Sequence, residues 1–315
     1  MLLVATYLWL QTLFAVGDAG ALTARQVQLY KHFWQKHAQK GDILLFLGDN
    51  LYPAGYRGRK RDKKRWERLL QVAHAFPGEV WATPGNHDWK AGLTGLSYQA
   101  ETLPHKPLPG RVGPDTLSRP DWLLIFLDSE RLIRDSARAQ AFHWRLIDSL
   151  LLDKRLCVII LHHPPKTAGA HGGYFPLIAH LFPLRVLSKY LWIPLPGIGT
   201  LFIVARKARK HPTDLAFPGY ARLADSLLRH VEGAQGPVLL LSGHDHNLQI
   251  HQLASNKWVV VSGSGCKTEP VARRKATWAR AVVGLWKISP AGQPQAYALC
   301  RPTYPIWKFQ KVAVP

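Results

Sequence analysis

One unit repeats along most of this chain: a short apolar run, a loop holding Gly with Asp, Asn or His, then a stretch of helical spacing. The runs Thr12–Val16, Ile43–Leu47, Val80–Thr83, Trp122–Leu127, Leu156–Leu161 and Val238–Ser242 read as strands. Helical spacing covers about Thr23–Gln39, Lys63–Phe76, Ala137–Leu152 and Tyr220–Glu232. After Gly243 the pattern changes to Leu248–Leu253, Lys257–Ser262 and Ala281–Ile288, expected as strands joined by turns. Alternating β and α units followed by hairpins predict an α/β fold of two packed sheets with helices outside. Hydrophobic residues make up 47% of the 315, enough to bury a core and to exclude disorder as the main state. No internal repeat or low-complexity linker divides the chain, so residues 12–315 are expected to form a single domain.

The apolar run Met1–Val16 has no basic n-region and no small-residue cleavage site. It also falls short of the ~20 residues a spanning helix needs. Residues 12–16 are therefore expected as a buried strand and residues 1–11 as an N-terminal extension, with export left open. A second apolar stretch, residues 176–212, is cut by Pro183, Pro194 and Pro196, which prevent a continuous spanning helix. Arg185, Lys189, Arg206, Lys207, Arg209 and Lys210 interleave there with Leu, Trp and Phe. Two readings stay open: an insertion packed on the core, or an interfacial patch for an anionic membrane surface.

The chemistry gathers at the ends of the apolar runs. Asp18 follows the first; Asp49 and Asn50, with Tyr52, follow the second; Asn86, His87 and Asp88 follow the third. His162 and His163 end the run Leu156–Leu161, and His244, Asp245, His246 and Asn247 follow Val238–Ser242. Donors at the C-terminal ends of successive strands are where α/β sheets build sites. The set mixes carboxylate, imidazole and amide without thiolate, which suits Fe, Mn or Zn and a pair of ions sharing a carboxylate. The 3 cysteines, Cys157, Cys266 and Cys300, are too scattered for a disulfide framework or a zinc knuckle.

GDAG at 17–20, GDNLY at 48–52, GNHD at 85–88, HHPP at 162–165 and GHDHNLQ at 243–249 resemble the calcineurin-like metallophosphoesterases. Within that superfamily they are most similar to the bacterial-type members of the purple, tartrate-resistant acid phosphatase branch. The resemblance implies a four-layer α-β-β-α sandwich of two mixed sheets with a dimetal site at the strand C-terminal ends. It implies that Asp18, Tyr52 and His246 hold one metal, that Asn86, His162 and His244 hold the other, and that Asp49 bridges them. Fe(III) on the Tyr52 side, with Fe, Zn or Mn in the other site, would follow. Asn50, Asp88, His163, Asp245 and Asn247 are expected around these ligands, and the segment 261–269 near the metals. His87 and His171 are the expected catalytic residues, although the acidic neighbour that the family keeps beside the second histidine is Ala170 here.

The implied reaction is phosphomonoester hydrolysis by a hydroxide that the two ions generate from water. A phosphodiesterase or pyrophosphohydrolase acting on a lipid-linked or nucleotide substrate is the alternative, and a non-catalytic membrane or polyanion binder the outside one. A formal charge of +21 calls for an anionic partner, here a phosphorylated substrate. The basic run Arg57–Arg68 brings no nucleic-acid motif with it, so nucleic acid is not the expected partner. The stretch after His171-Gly-Gly-Tyr-Phe also resembles bacterial, envelope-associated relatives, which implies a membrane-proximal place in the cell envelope. Nothing in the sequence sets the oligomeric state.

Overall fold

The structure, a computed structural model, describes residues 11–111, 113–135, 137–186, 190–289, 291–303 and 306–314. The expected extension before Gln11, and Lys189, lie outside the described residues. The first half runs β1 (Leu13–Val16), α1 (Ala24–His37), β2 (Ile43–Leu47), α2 (Lys60–His74), β3 (Glu79–Thr83), α3 (Asn86–Trp89) and α4 (Gly92–Thr102). Then come β4 (Asp115–Ser118), β5 (Trp122–Phe126), α5 (Ser129–Arg134), α6 (Ala137–Leu150) and β6 (Leu156–Ile160). The second half holds α7 (Leu177–Leu181), α8 (Ile198–Ala208), α9 (Pro218–Gly233), β7 (Val238–Ser242), β8 (Leu248–Ala254) and β9 (Lys257–Ser262). It closes with β10 (Trp278–Arg280), β11 (Gly284–Ile288), β12 (Pro294–Thr303) and β13 (Ile306–Val312).

Two mixed sheets form, in the orders β13-β12-β11-β1-β2-β3 and β10-β8-β9-β7-β6-β5-β4. Both faces of each sheet are covered, which explains why the central strands are apolar throughout rather than alternating. Leu13, Ala15 and Leu45 of one sheet meet Leu124, Val158 and Leu241 of the other in a shared inner layer. Trp286 on β11 crosses that layer and donates its indole N–H to the Val261 carbonyl at 2.8 Å. Outside the first sheet, α1 and α2 bury Tyr30, Trp34, Trp66 and Leu69. Outside the second, α6 and α9 bury Trp144, Ile147, Leu223 and Leu227. The result is the four-layer α-β-β-α sandwich. Helix α1 starts where a capping box is written: the Thr23 side chain accepts the Gln26 amide at 3.2 Å, and Gln26 Oε1 accepts the Thr23 amide at 2.9 Å.

The expected strand Ala281–Ile288 begins only at Gly284, and a short strand that was not expected precedes it. Residues 278–280 pair antiparallel with β8 in one sheet, whereas 284–288 pair antiparallel with β1 in the other. The chain thus changes sheets inside a stretch whose apolar pattern is continuous.

The parallel pairs β1–β2–β3 and β6–β7 decide the rest. Parallel strands present their C-terminal ends on one edge, so the loops of both sheets converge. The Gly17 amide donates to the Ser262 carbonyl at 2.6 Å, and the Gly243 amide to His162 at 3.0 Å, stitching these loops together.

Away from this edge the core keeps two neutral histidines. His105 donates from Nδ1 to the Leu103 carbonyl at 2.7 Å, and His251 from Nε2 to Gln249 Oε1 at 2.8 Å. Burial pushes both down from 6.5 to about 4. The unfolded chain therefore takes up protons that the folded one refuses, and stability present above pH 6.5 is lost as pH falls to about 4. Each histidine accounts for on the order of 2–3 kcal/mol of that loss. Urea midpoints measured across this window should fall steeply for the wild type and less steeply for His105→Gln; parallel curves would contradict this assignment.

Candidate metal centre

Each donor reaches the centre from a strand end through a tight loop. Gly48, at φ 85°, turns the chain after β2, and Asp49 follows at φ 53°. Asp18 (φ 57°) and His244 (φ 72°) share this left-handed conformation, which non-glycine residues rarely adopt. Gly85 has a different reason to lack a side chain: a Cβ there would meet the Asp49 amide nitrogen at 2.2 Å and its Oδ1 at 2.3 Å.

Asp18, Tyr52 and His246 form one group. The Tyr52 hydroxyl donates to Asp18 Oδ1 at 2.7 Å and lies 3.0 Å from His246 Nε2, which is itself 3.3 Å from Asp18 Oδ1. The second group is Asn86, His162 and His244. His162 Nε2 stands 3.1 Å from Asn86 Oδ1 and 3.2 Å from His244 Nδ1. Asp49 lies between the groups, with Oδ1 3.4 Å from His162 Nε2. Ligand atoms of Asp18, Asp49 and His162 all fall within 4.8 Å of one another, as do those of His162, His163 and His244.

The outer atoms fix the inner ones. His162 Nδ1–H donates to the Leu47 carbonyl at 2.8 Å, and His244 Nε2–H to the Thr213 carbonyl at 2.8 Å. Both rings therefore turn a lone pair inward, beside the Asn86 carbonyl. Three buried acceptors facing one another repel unless a proton or a cation lies among them. The residues fit metal ions on that observation.

Charge follows the same logic. Burial alone would raise Asp18, but its hydrogen bond to His246 and the charge of that ring pull it to about 2. Burial would lower His246, yet Asp18 and Glu269 raise it to about 10. Asp49 and Asp18 likewise outweigh burial and raise His162, whereas burial keeps His244 far below 6.5. Burial and the nearby Asp49 push Asp88 up to about 7.

The surrounding expected residues have distinct tasks. Asp88 accepts the amides of Gly85, Asn50 and Leu51 at 2.9, 3.0 and 3.0 Å, tying two ligand loops together. Asn50 donates to the Thr83 carbonyl at 2.9 Å. Asn247 accepts from Gln249 at 2.6 Å. Asp245 accepts the Thr167 hydroxyl and the His171 amide, so the loop it orients is that of His171. His163 receives the Ser129 hydroxyl on Nδ1 at 2.9 Å, while Ser129 Oγ accepts the amides of His162 and His163.

His87 sits at the open edge, its Nε2 3.8 Å from Asp49 Oδ2 and its ring 4.7 Å from that of Tyr52. His171 stacks on His244 at 3.9 Å and holds Asp214 Oδ1 through Nδ1 at 3.0 Å. The segment 261–269 packs at the centre as expected: Cys266 Sγ donates to the Asp18 carbonyl at 2.9 Å, and Glu269 Oε1 lies 2.8 Å from His246 Nδ1. Lys267 caps the Tyr52 ring at 3.9 Å.

Asp214, Ser129, Glu269 and Lys267 were not singled out from the sequence. Asp214 did leave a trace, as the lone acidic residue between Asp153 and Asp225.

Residues 12–248 match the calcineurin-like phosphoesterases. The chain belongs to that family. Its members are phosphoric ester hydrolases that use two metal ions, in keeping with the His and Asp cluster. Among solved structures, GAP50, the anchor in the inner membrane complex of Plasmodium, superposes with a TM-score of 0.54 at 15% identity, over 97% of this chain and 89% of that one. A dimetal phosphatase from Danio rerio gives 0.45 at 11% identity over 89% and 96%. Zinc-bound Vps29 from Entamoeba histolytica gives 0.37 at 10% over 96% and 98%. At such identities the likeness is one of fold. None of the curated proteins matches significantly.

Because the nearest contact of a Cβ at Gly85 is the Asp49 backbone nitrogen, which cannot swing aside as a side-chain end could, Gly85→Ala is expected to displace Asp49 and destabilise the fold by a few kcal/mol, about the cost of overpacking. Thermal melts and bound-metal analysis should both report the loss. Gly233→Ala, where a Cβ meets nothing within 4 Å, is the matched control.

Proposed function

We propose that this chain hydrolyses phosphomonoesters at a two-metal centre of the purple acid phosphatase type. The observation that carries this reading is the division of the buried donors into Asp18, Tyr52, His246 and Asn86, His162, His244, with Asp49 between them. These two groups would hold the two ions and Asp49 would touch both. Bound ions would supply Lewis acidity toward the phosphoryl oxygens and lower the pKa of a water.

The remaining work falls to side chains. Burial, then the carboxylates of Asp18 and Asp49, keep Tyr52 protonated, well above its ordinary value, in the ion-free chain. As a phenolate Tyr52 would be a hard, anionic ligand, which supports Fe(III) on this side. His87, whose Nδ1–H the Pro53 carbonyl accepts, turns Nε2 toward the centre; burial holds its pKa below the ordinary imidazole value, so it donates to the phosphoryl group or the departing alkoxide as the imidazolium formed at acid pH. His171 is placed to do the same from the other rim. Asp214 fixes its Nδ1, so Nε2 is the nitrogen that meets substrate.

Elemental analysis, a visible spectrum and turnover of p-nitrophenyl phosphate on one preparation test the reading. Two ions per chain, a charge-transfer band lost in Tyr52→Phe, and monoester turnover reduced about 100-fold or more in His87→Ala are expected. A colourless protein that cleaves only bis-p-nitrophenyl phosphate would replace this reading with a zinc or manganese phosphodiesterase.

A further inference from the structure

Among the described residues of 176–212, Gly199 and Ile203 of α8 are buried, but a set of large apolar side chains is not. Leu177, Tyr190, Trp192, Ile198, Leu201 and Phe202 are each more than half exposed, at 72%, 77%, 55%, 59%, 68% and 54%. Helices α7 and α8 pack so closely that a Cβ at Gly199 would meet the His180 carbonyl oxygen at 2.2 Å, and the Leu195 amide donates to the Leu181 carbonyl at 2.8 Å. From α8, Ile203 and Arg206 turn inward while Leu201 and Phe202 face solvent. A contiguous apolar face of this kind on a charged protein marks an interaction surface.

Two cavities lie along this segment, one beside His171 and one beside Leu177. The first, about 400 Å³, opens beside His171 and is lined by Phe175, Arg206, Lys207, Lys210 and Leu215. Its mixture of cations and apolar carbons suits a phosphate joined to a hydrophobic body. The second, also about 400 Å³, lies between α7 and α8 among Leu177, Leu181, Pro196 and Thr200. Both are lined by Phe175, whose ring lies 5.5 Å from the Arg206 guanidinium and 5.7 Å from the Lys207 ammonium. Arg206 in turn grips Asp214 at 2.6 and 2.8 Å, and Asp214 holds His171. A basic pocket beside His171 and an apolar groove between α7 and α8 thus share the wall that Phe175 forms.

We infer that residues 176–212 seat the enzyme on an anionic bilayer and that its substrate is a phosphomonoester carried by a membrane lipid. The inference rests on the phosphomonoesterase reading above and names its substrate class. Charge complementarity selects a bilayer as the occupant: Lys207, Arg209 and Lys210 are exposed at the end of α8 beside the apolar face, and Arg185 lies 3.8 Å over Trp192. Apolar residues entering the acyl boundary while cations meet lipid phosphates describe an interfacial element. No helix among the described residues is long and apolar enough to cross a membrane. In the reaction a P–O ester bond breaks: the water oxygen ends on phosphorus as inorganic phosphate, and a proton goes to the lipid hydroxyl.

The test uses vesicles of equal parts phosphatidylcholine and phosphatidylglycerol doped with phosphatidate, with p-nitrophenyl phosphate as the soluble reference. The wild type should co-sediment with the vesicles and release phosphate from both substrates. The triple variant Trp192→Ser, Leu201→Ser, Phe202→Ser changes exposed side chains that line neither cavity and touch no candidate ligand. It should lose sedimentation and at least about tenfold of its phosphatidate turnover, while p-nitrophenyl phosphate turnover stays within about twofold. Equal phosphatidate turnover by both proteins overturns the inference. So does a wild type that ignores vesicles and self-associates through this face. Turnover of p-nitrophenyl phosphate without any of phosphatidate overturns the substrate class alone, and turnover of neither overturns the phosphomonoesterase reading beneath it.

Discussion

His162 Nε2, His244 Nδ1 and Asn86 Oδ1 meet at 3.1–3.2 Å where all three residues are buried, and the bonds that Leu47 and Thr213 accept from the far sides of the rings leave these atoms as acceptors. In the apolar interior such an arrangement costs several kcal/mol unless positive charge enters it. The neighbouring group shows how the chain alone meets the same demand. There His246 carries a proton between Asp18 and Glu269, and its raised pKa measures how strongly that place attracts charge. Cations would take over a task that protons perform in the bare protein. Metal binding, proton release and stability are therefore coupled at one point.

Holding that point requires strain. Asp18, Asp49 and His244 all sit at positive φ, at roughly 1–3 kcal/mol each for non-glycine residues. No local interaction explains why a loop would accept this three times. The explanation is the parallel strands beneath. Their pairing and the three apolar layers around them fix where each loop begins, and bonds such as Asp18 N–H to the Gly48 carbonyl at 3.0 Å fix where it turns. The energy spent on the site comes from a sandwich that is rigid for its own reasons.

Much of this was legible in the sequence because strand and ligand are adjacent in the chain. A buried parallel strand is a short apolar run, and its C-terminal loop holds the donors, so runs ending at Val16, Leu47, Thr83, Leu161 and Ser242 located both fold and centre. What escaped lacks that adjacency. The strand at 278–280 belongs to one sheet and that at 284–288 to the other, a choice made by tertiary pairing rather than by the apolar pattern. Ser129 and Asp214 are ordinary polar residues until the fold carries them to His163 and His171. The exposure of Leu201 and Phe202 was one of two readings the sequence left open, since an apolar residue in a helix is normally evidence for burial.

Asp214 shows why the insertion is more than an addition to a finished domain. The resemblance drawn from the sequence implies an acidic residue beside His171, and this chain has Ala170 there. The carboxylate arrives instead from beyond the insertion, already paired with Arg206 on α8, and the adjoining Thr213 carbonyl sets which nitrogen of His244 faces inward. Burial would raise Asp214, but the hydrogen bonds from Arg206 and His171 hold it at about 2. The tautomer of a candidate ligand and the orientation of a candidate catalytic histidine thus depend on the segment that carries the exposed apolar face. Arg206 of α8, Asp214 and His171 thus form one hydrogen-bonded chain that joins the segment to the rim of the centre.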